Sequence, residues 1–129
     1  MGSKSDYLEN KILDHVLRNT AYTSPATVYV GLYTATPSDA GGGTELSGNG
    51  YARQSCAFSA ASGGSISNSG TVTFGPNTTS GWGTVAYFGI FDASSSGNLL
   101  YWGSLTASKT VAVGDSVSFA AGALVVTED

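Results

Sequence analysis

Two hydrophobic periods divide the chain. Near the start, Leu8, Ile12, Leu13, Val16 and Leu17 recur at a spacing of three to four residues, which gathers them into one stripe of a helix. Lys11, Asp14, His15 and Arg18 fall off that stripe, so the predicted helix is amphipathic and its apolar face must lie on something. Asp6 is the expected cap, and Glu9 three residues later completes a capping-box-like pair. Pro25 disfavours helical geometry in the residue before it, so the helix is expected to stop between Asn19 and Ser24. Beyond that point the period becomes two, with turn residues between short β-rich runs. Strands are predicted near 27–34, 51–58, 65–74, 84–91, 98–105, 110–119 and 123–127. No helical segment is left to make parallel crossovers. The fold class is therefore mainly β: an antiparallel β-sandwich or barrel-like domain of about seven to eight strands with one N-terminal amphipathic helix. Residues 1–25 are expected to form a helical arm and 26–129 the β-sandwich domain. The stretch from Ser38 to Gly50 reads as the longest loop and Asn77 to Gly83 as the second.

Three predicted strands share Tyr, an apolar residue, Gly, and Ala four places after the Gly. They run from Val28 to Ala35, from Ala86 to Ala93 and from Leu100 to Ala107. Tyr and Gly two apart lie on one face of a strand, so an aromatic ring from a neighbouring strand can cover the bare glycine backbone. The same aromatics also suit a surface for a ligand or another subunit.

Composition narrows the classes of function. Charged residues are 11% of the chain, against roughly 25% for an average domain, so solubility rests on Ser, Thr, Asn and backbone amides or on coverage by partners. The net charge of -4 and the scatter of five basic residues exclude the basic patch that nucleic acid requires. No run of about 18 apolar residues and no charged-then-apolar start occurs, so no membrane partner is expected. The expectation is a soluble protein made in a reducing compartment. One cysteine, Cys56, excludes an internal disulfide and any multi-cysteine metal cage. From Gln54 to Phe91 there is no charged residue at all, as expected of strands pressed between subunits.

The residues offer little chemistry. His15 is the single histidine and sits on the helix beside Asp14. Gly114-Asp115-Ser116 looks like the start of a GDS-type lipase motif, but no histidine follows to take the serine proton, so it reads as a turn. Asp39, Glu45, Asp92, Asp115, Glu128 and Asp129 read as turn residues, Asp39 and Asp115 standing directly beside Gly or Ser; Asp129 lies outside the residues that the structure describes. Gly48-Asn49-Gly50 and the triplet Gly41-Gly42-Gly43 lack the following helix of a phosphate cradle. No catalytic, cofactor-binding or metal-ligating residue is expected. The candidates for contact are the helix stripe as an assembly element, and Trp82, Trp102 and Tyr51 as aromatic ligand or subunit contacts, with Trp82 foremost because Ser80-Gly81-Trp82-Gly83 reads as a loop.

The segments Asp6 to His15, Val28 to Pro37, Gly48 to Gln54, Phe88 to Asp92 and Gly97 to Gly103 resemble small bacteriophage virion proteins of the type labelled tail-fibre proteins, over nearly the whole chain. The resemblance implies a non-enzymatic virion protein, made in the host cytoplasm and acting through repeated subunit contacts as a homo-oligomer, a trimer or hexamer, with major capsid or tail proteins as neighbours. At 129 residues, without a heptad or β-helical repeat for a long shaft, the chain suits head decoration, cement or an adaptor better than a fibre. The alternative is a tail-fibre-associated module for a host glycan or receptor, with exposed aromatics stacking on sugar rings.

Overall fold

A computed structural model describes residues 2–128. The chain forms β1 (Gly2–Lys4), α1 (Asp6–Leu17), β2 (Val28–Ala35), β3 (Thr44–Glu45), β4 (Gln54–Cys56), β5 (Ser65–Ser67), β6 (Val72–Phe74), β7 (Gly83–Phe91), β8 (Leu99–Val111), β9 (Val117–Phe119) and β10 (Val125–Thr127). Six strands make one sheet in the order β1-β8-β7-β2-β3, with β4 also on β2; two ribbons, β10-β5 and β6-β9, complete the strands. All the pairings are antiparallel. The fold is mainly β with one N-terminal helix, as the change of period predicts.

The core lies where the sheet meets the ribbons. Val30, Leu32, Val85, Phe88 and Ile90 from the sheet pack with Val72, Phe74, Val117, Phe119 and Val126 from the ribbons. The central strand β2 is buried on both faces, from Val30 through Tyr33. Alternation explains one face; a second layer on the other side of the sheet explains the rest.

That second layer begins with two glycines. Gly31 of β2 stands opposite Gly89 of β7, and Tyr33 and Phe91 lie on the same face two residues further along their strands. A Cβ on Gly31 would come within 2.7 Å of Glu45 Oε2 and 3.1 Å of Phe91 Cε1, and one on Gly89 within 3.0 Å of Tyr33 Cε1. Aromatic rings from the neighbouring strand therefore cover both bare backbones, as the repeated Tyr-x-Gly pattern predicts.

Several strand boundaries differ from the periodic reading. The predicted strand 65–74 is two strands in different ribbons, because Asn68 turns the chain between them. Asn68 is 1% exposed. Its amide donates to Gly70 O at 2.8 Å and Ala120 O at 3.0 Å, and its Oδ1 accepts from Leu124 N at 2.9 Å. The predicted strand 98–105 instead continues to Val111. Here β8 advances from Ser104 to Lys109 while β7 steps only from Tyr87 to Val85, a bulge that keeps one long strand paired. β3 lies inside the predicted long loop, where Glu45 pairs with Tyr33.

The N-terminal segment is tied into the sheet. Residues 2–4, expected to belong to the helical arm, are an edge strand in which Lys4 pairs with Tyr101 of β8. The cap of α1 is Ser5, not Asp6: Ser5 Oγ accepts from Leu8 N at 3.2 Å and donates to Leu99 O at 2.5 Å. A buried serine that caps and anchors at once fixes the helix start, and such a cap contributes about 1 kcal/mol. At the other end Arg18 N and Thr20 N both donate to Asp14 O at 3.1 Å, and Asn19 adopts φ 55°, a left-handed stop. No helix among the described residues is long and apolar enough to cross a membrane.

The paired glycines yield a direct test. Gly31→Ala is expected to destabilise the fold by roughly 1–3 kcal/mol, the usual range for overpacking. Gly70→Ala, where a Cβ meets nothing within 4 Å, is the matched control and should leave the urea midpoint at or slightly above wild type. Equal midpoints for the two variants would remove the trough from the account of stability.

Candidate assembly surface

An ion network occupies the outer layer of the sheet. Arg53 grips Glu45 with two parallel bonds, Nε to Oε2 at 2.8 Å and the second guanidinium nitrogen to Oε1 at 2.9 Å. The remaining Arg53 nitrogen donates to Ala93 O at 3.1 Å and Ser96 O at 2.8 Å, closing down the loop after β7. Its guanidinium carbon lies 3.5 Å from the Phe91 ring centroid, and Phe91 stacks on Tyr33 at 6.4 Å. Tyr51 donates its hydroxyl proton to Glu45 at 2.7 Å and accepts from Leu32 N at 3.1 Å. That hydroxyl satisfies the edge of β2 in the gap between β3 and β4. Glu45 thus has both oxygens engaged, by Arg53 and by Tyr51. Burial, followed by the Glu45 charge, pushes the Tyr33 hydroxyl up to about 12. Tyr51 is also raised, first by burial and then by its bond to Glu45.

The three aromatics singled out as contact residues are bound into the fold. Trp82, expected on an exposed loop, is only 5% exposed. Its Nε1 donates to Asn49 O at 3.1 Å, and its ring meets Tyr51 edge-on at 5.8 Å. The two predicted loops pack on each other here, which a reading of local composition could not show. Tyr51 stacks on Phe74 at 6.2 Å, and Trp102 donates to Asp39 Oδ1 at 2.9 Å. Of the three, Trp82 is buried and Tyr51 and Trp102 are half-buried.

The polar candidates have local roles. His15 Nδ1 accepts from Tyr22 N at 3.2 Å and so holds the chain as it leaves the helix. Asp115 Oδ2 accepts from Ala112 N at 3.1 Å, which makes Gly114-Asp115 the predicted turn. Asp92 accepts from Asn98 N at 2.7 Å and Asn98 Nδ2 at 2.9 Å; burial raises its carboxyl, but these bonds outweigh it and hold it below its ordinary range. Asp6, Glu9 and Asp39 bring three carboxylates within 4.8 Å of one another beside a cleft of about 660 Å³. Two of them belong to the first turn of α1, where the positive end of the helix favours anions, and Asp39 already holds Trp102. Their placement needs no metal to explain it.

Among the described residues, two larger apolar features stand open, besides the single exposed side chains of Val113 and Val125. On α1 only Leu8 is buried, while Ile12, Leu13, Val16 and Leu17 are 36, 55, 68 and 75% exposed. Within the chain the stripe is therefore buried at Leu8, where the helix starts, and open from Ile12 onward. A cavity of about 290 Å³ also opens between the sheet and the β10-β5 ribbon, lined by Val28, Phe58, Ile66, Ile90, Leu100 and Val126 among others. At its rim Tyr101 donates to Glu128 Oε1 at 2.7 Å and Lys4 pairs with Glu128 Oε2.

The family described as podophage GP4 fiber I protein gp80 matches residues 3–127. The chain belongs to this family. It is thus a phage tail-fibre-type structural protein and a component of the virion. No curated protein matches the chain. The gp80-type match runs from within β1 to the end of β10.

The tyrosines of this gp80-type chain supply a pH test. A tyrosine whose folded pKa is raised adds stability that is whole below the ordinary value of 10.0 and is lost as pH climbs through the folded value, about 12 for Tyr33. Tyr51 and Tyr101 are raised in the same direction, mainly by burial and by carboxylate partners. Ultraviolet titration of tyrosinate should show a share of the absorbance change, that of Tyr33, Tyr51 and Tyr101, appearing only as the fold is lost. One transition for all seven tyrosines, with circular dichroism unchanged, would contradict the buried network.

Proposed function

We propose that this chain is a non-enzymatic structural subunit of the phage fibre apparatus, assembled as a trimer or hexamer and seated against neighbouring tail proteins. The observation that carries this reading is the open edge of the α1 stripe on a helix rooted in the sheet by β1 and Ser5. Apolar side chains held out on an anchored helix are a contact surface, since a contiguous exposed apolar patch marks an interaction site. The near absence of charge fits the same role. Contacts between neutral polar surfaces lose no desolvated ion pair and are insensitive to salt. Closed symmetry repeats each such contact around a ring.

The non-enzymatic reading is supported by the family description and by the bonds that tie Glu45, Arg53, Asp92, Asp115 and His15 into the fold. Head decoration was favoured by chain length, whereas the family description favours the fibre. The glycan reading leaned foremost on Trp82, which is buried; Tyr51 and Trp102 are half-buried, Tyr51 stacked on Phe74 and Trp102 bonded through Nε1 to Asp39.

Gold-labelled antibody on intact particles should mark the tail and not the head. Light scattering should return a mass that is a multiple of 13.0 kDa. Label confined to the head would replace the fibre role with decoration, and absence from purified particles would overturn the virion assignment for this chain.

A further inference from the structure

Asp6, Glu9 and Asp39 are placed by the fold, but their charge is not balanced by it. One carboxylate oxygen from each lies within 4.8 Å of the other two. The ion pairs of the described residues join Lys4 to Glu128, Arg18 to Asp14 and Arg53 to Glu45, and Lys11 rests over the Tyr7 ring at 5.7 Å. Among the described residues, then, no cation forms an ion pair with the three. The positive end of α1 supplies roughly half an elementary charge against their negative ones. Like charges this close repel one another even in water, so the cluster is short of positive charge.

A second observation lies in the adjoining cleft. Tyr33 is 5% exposed and borders the cleft together with Asp6, Asp39 and the 41–43 loop. Its ring crosses Gly89 toward Leu99, since a Cβ on Gly89 would meet Tyr33 Cε1 at 3.0 Å and Leu99 Cδ1 at 2.9 Å. Leu99 is the residue whose carbonyl holds Ser5, where α1 starts. The tyrosine is thus directed toward the root of the helix. Burial and the charges of Glu45 and Arg53 act on its hydroxyl, which makes no hydrogen bond to any described residue. A hydroxyl so far withdrawn from water needs a polar partner, and the cleft is where one can reach it.

We propose that Asp6, Glu9 and Asp39 bind a divalent cation, calcium by preference, with the Tyr33 hydroxyl bonded to water on the ion. Oxygen donors alone, with no histidine or cysteine among them, select a hard cation. Calcium holds its oxygens at roughly 2.3–2.6 Å and so accepts ligands about 5 Å apart across the ion. Magnesium, at roughly 2.0–2.1 Å, requires such oxygens to be drawn together. Three carboxylates completed by water belong with the weak extracellular sites, whose Kd is roughly 0.1–1 mM. The bound ion ties the first turn of α1 to the loop that carries Asp39. This site is separate from the α1 stripe and does not depend on the assembly reading.

The test uses the full chain with calcium, magnesium and terbium as probes. Calcium at ten times its Kd is expected to shift the folding equilibrium about tenfold toward the native state, read as a higher melting temperature than in magnesium at equal ionic strength. Terbium should luminesce on excitation of Trp102, whose indole is bonded to Asp39, and calcium should displace it. Tyr33→Phe keeps the ring on Phe91 and should weaken calcium roughly tenfold, the usual loss for a group that supports a metal site. Glu9→Gln and Asp39→Asn, the second of which keeps an acceptor for Trp102, should lose more while circular dichroism stays native. A melting temperature unmoved by calcium, or moved equally by magnesium, would overturn the site. Equal calcium shifts in wild type and in the two carboxylate variants would mean screening by bulk ions and would overturn it too. Unchanged calcium binding in Tyr33→Phe would do the same, since the hydroxyl would then have no part in it.

Discussion

Gly31 and Gly89 face each other across β2 and β7, and the trough they leave in the sheet is the constraint from which the outer layer follows. Side chains at either position would hold Phe91 and Tyr33 off the strands. With none there, the two rings lie flat, the Arg53 guanidinium rests on Phe91, and its fork closes on Glu45. Tyr51 reaches the same carboxylate and completes the hydrogen bonding of Leu32. A central strand covered on both faces results, although the second cover is made of loops rather than a sheet. Rigidity on that side comes from bidentate geometry and aromatic contact, which hold directions that an aliphatic core leaves free.

The same economy of charge runs through the molecule. Lys4 with Glu128, Arg18 with Asp14 and Arg53 with Glu45 are paired, and the loops are closed mainly by neutral amides and hydroxyls. Asn68 supplies three bonds at the corner where the chain passes from one ribbon to the other. For a virion component this is a useful surface, since packing it against neighbours leaves few ions to desolvate. Stability is thereby placed inside the sandwich.

A helix of 12 residues is marginal in water and persists here because Ser5 caps it and Leu8 is buried, a burial contributing roughly 1.5–3 kcal/mol. That is sufficient to hold a helix but leaves most of its stripe exposed. The arm is anchored where it starts, and its apolar stripe from Ile12 to Leu17 is held out from the sheet.

Local pattern was enough for the helix from Asp6 to Leu17, the antiparallel β class, the turn at Gly114-Asp115 and the covering of glycines by rings from neighbouring strands. Each depends on spacing within one segment, and spacing is a property of the sequence. Distances between segments were out of its reach. Trp82 looks like a loop tip until the loop around Asn49 is packed over it, and residues 65–74 look like one strand until Asn68 bonds across to Leu124 and Ala120. The cap passed from Asp6 to Ser5 because Leu99 and Leu100 stand beside Ser5 in space. Which edge of the helix is buried, and on which face of the sheet the cavity opens, follow from strand order and register. Hydrogen bonds between residues far apart in the chain set both, and a linear pattern does not encode them.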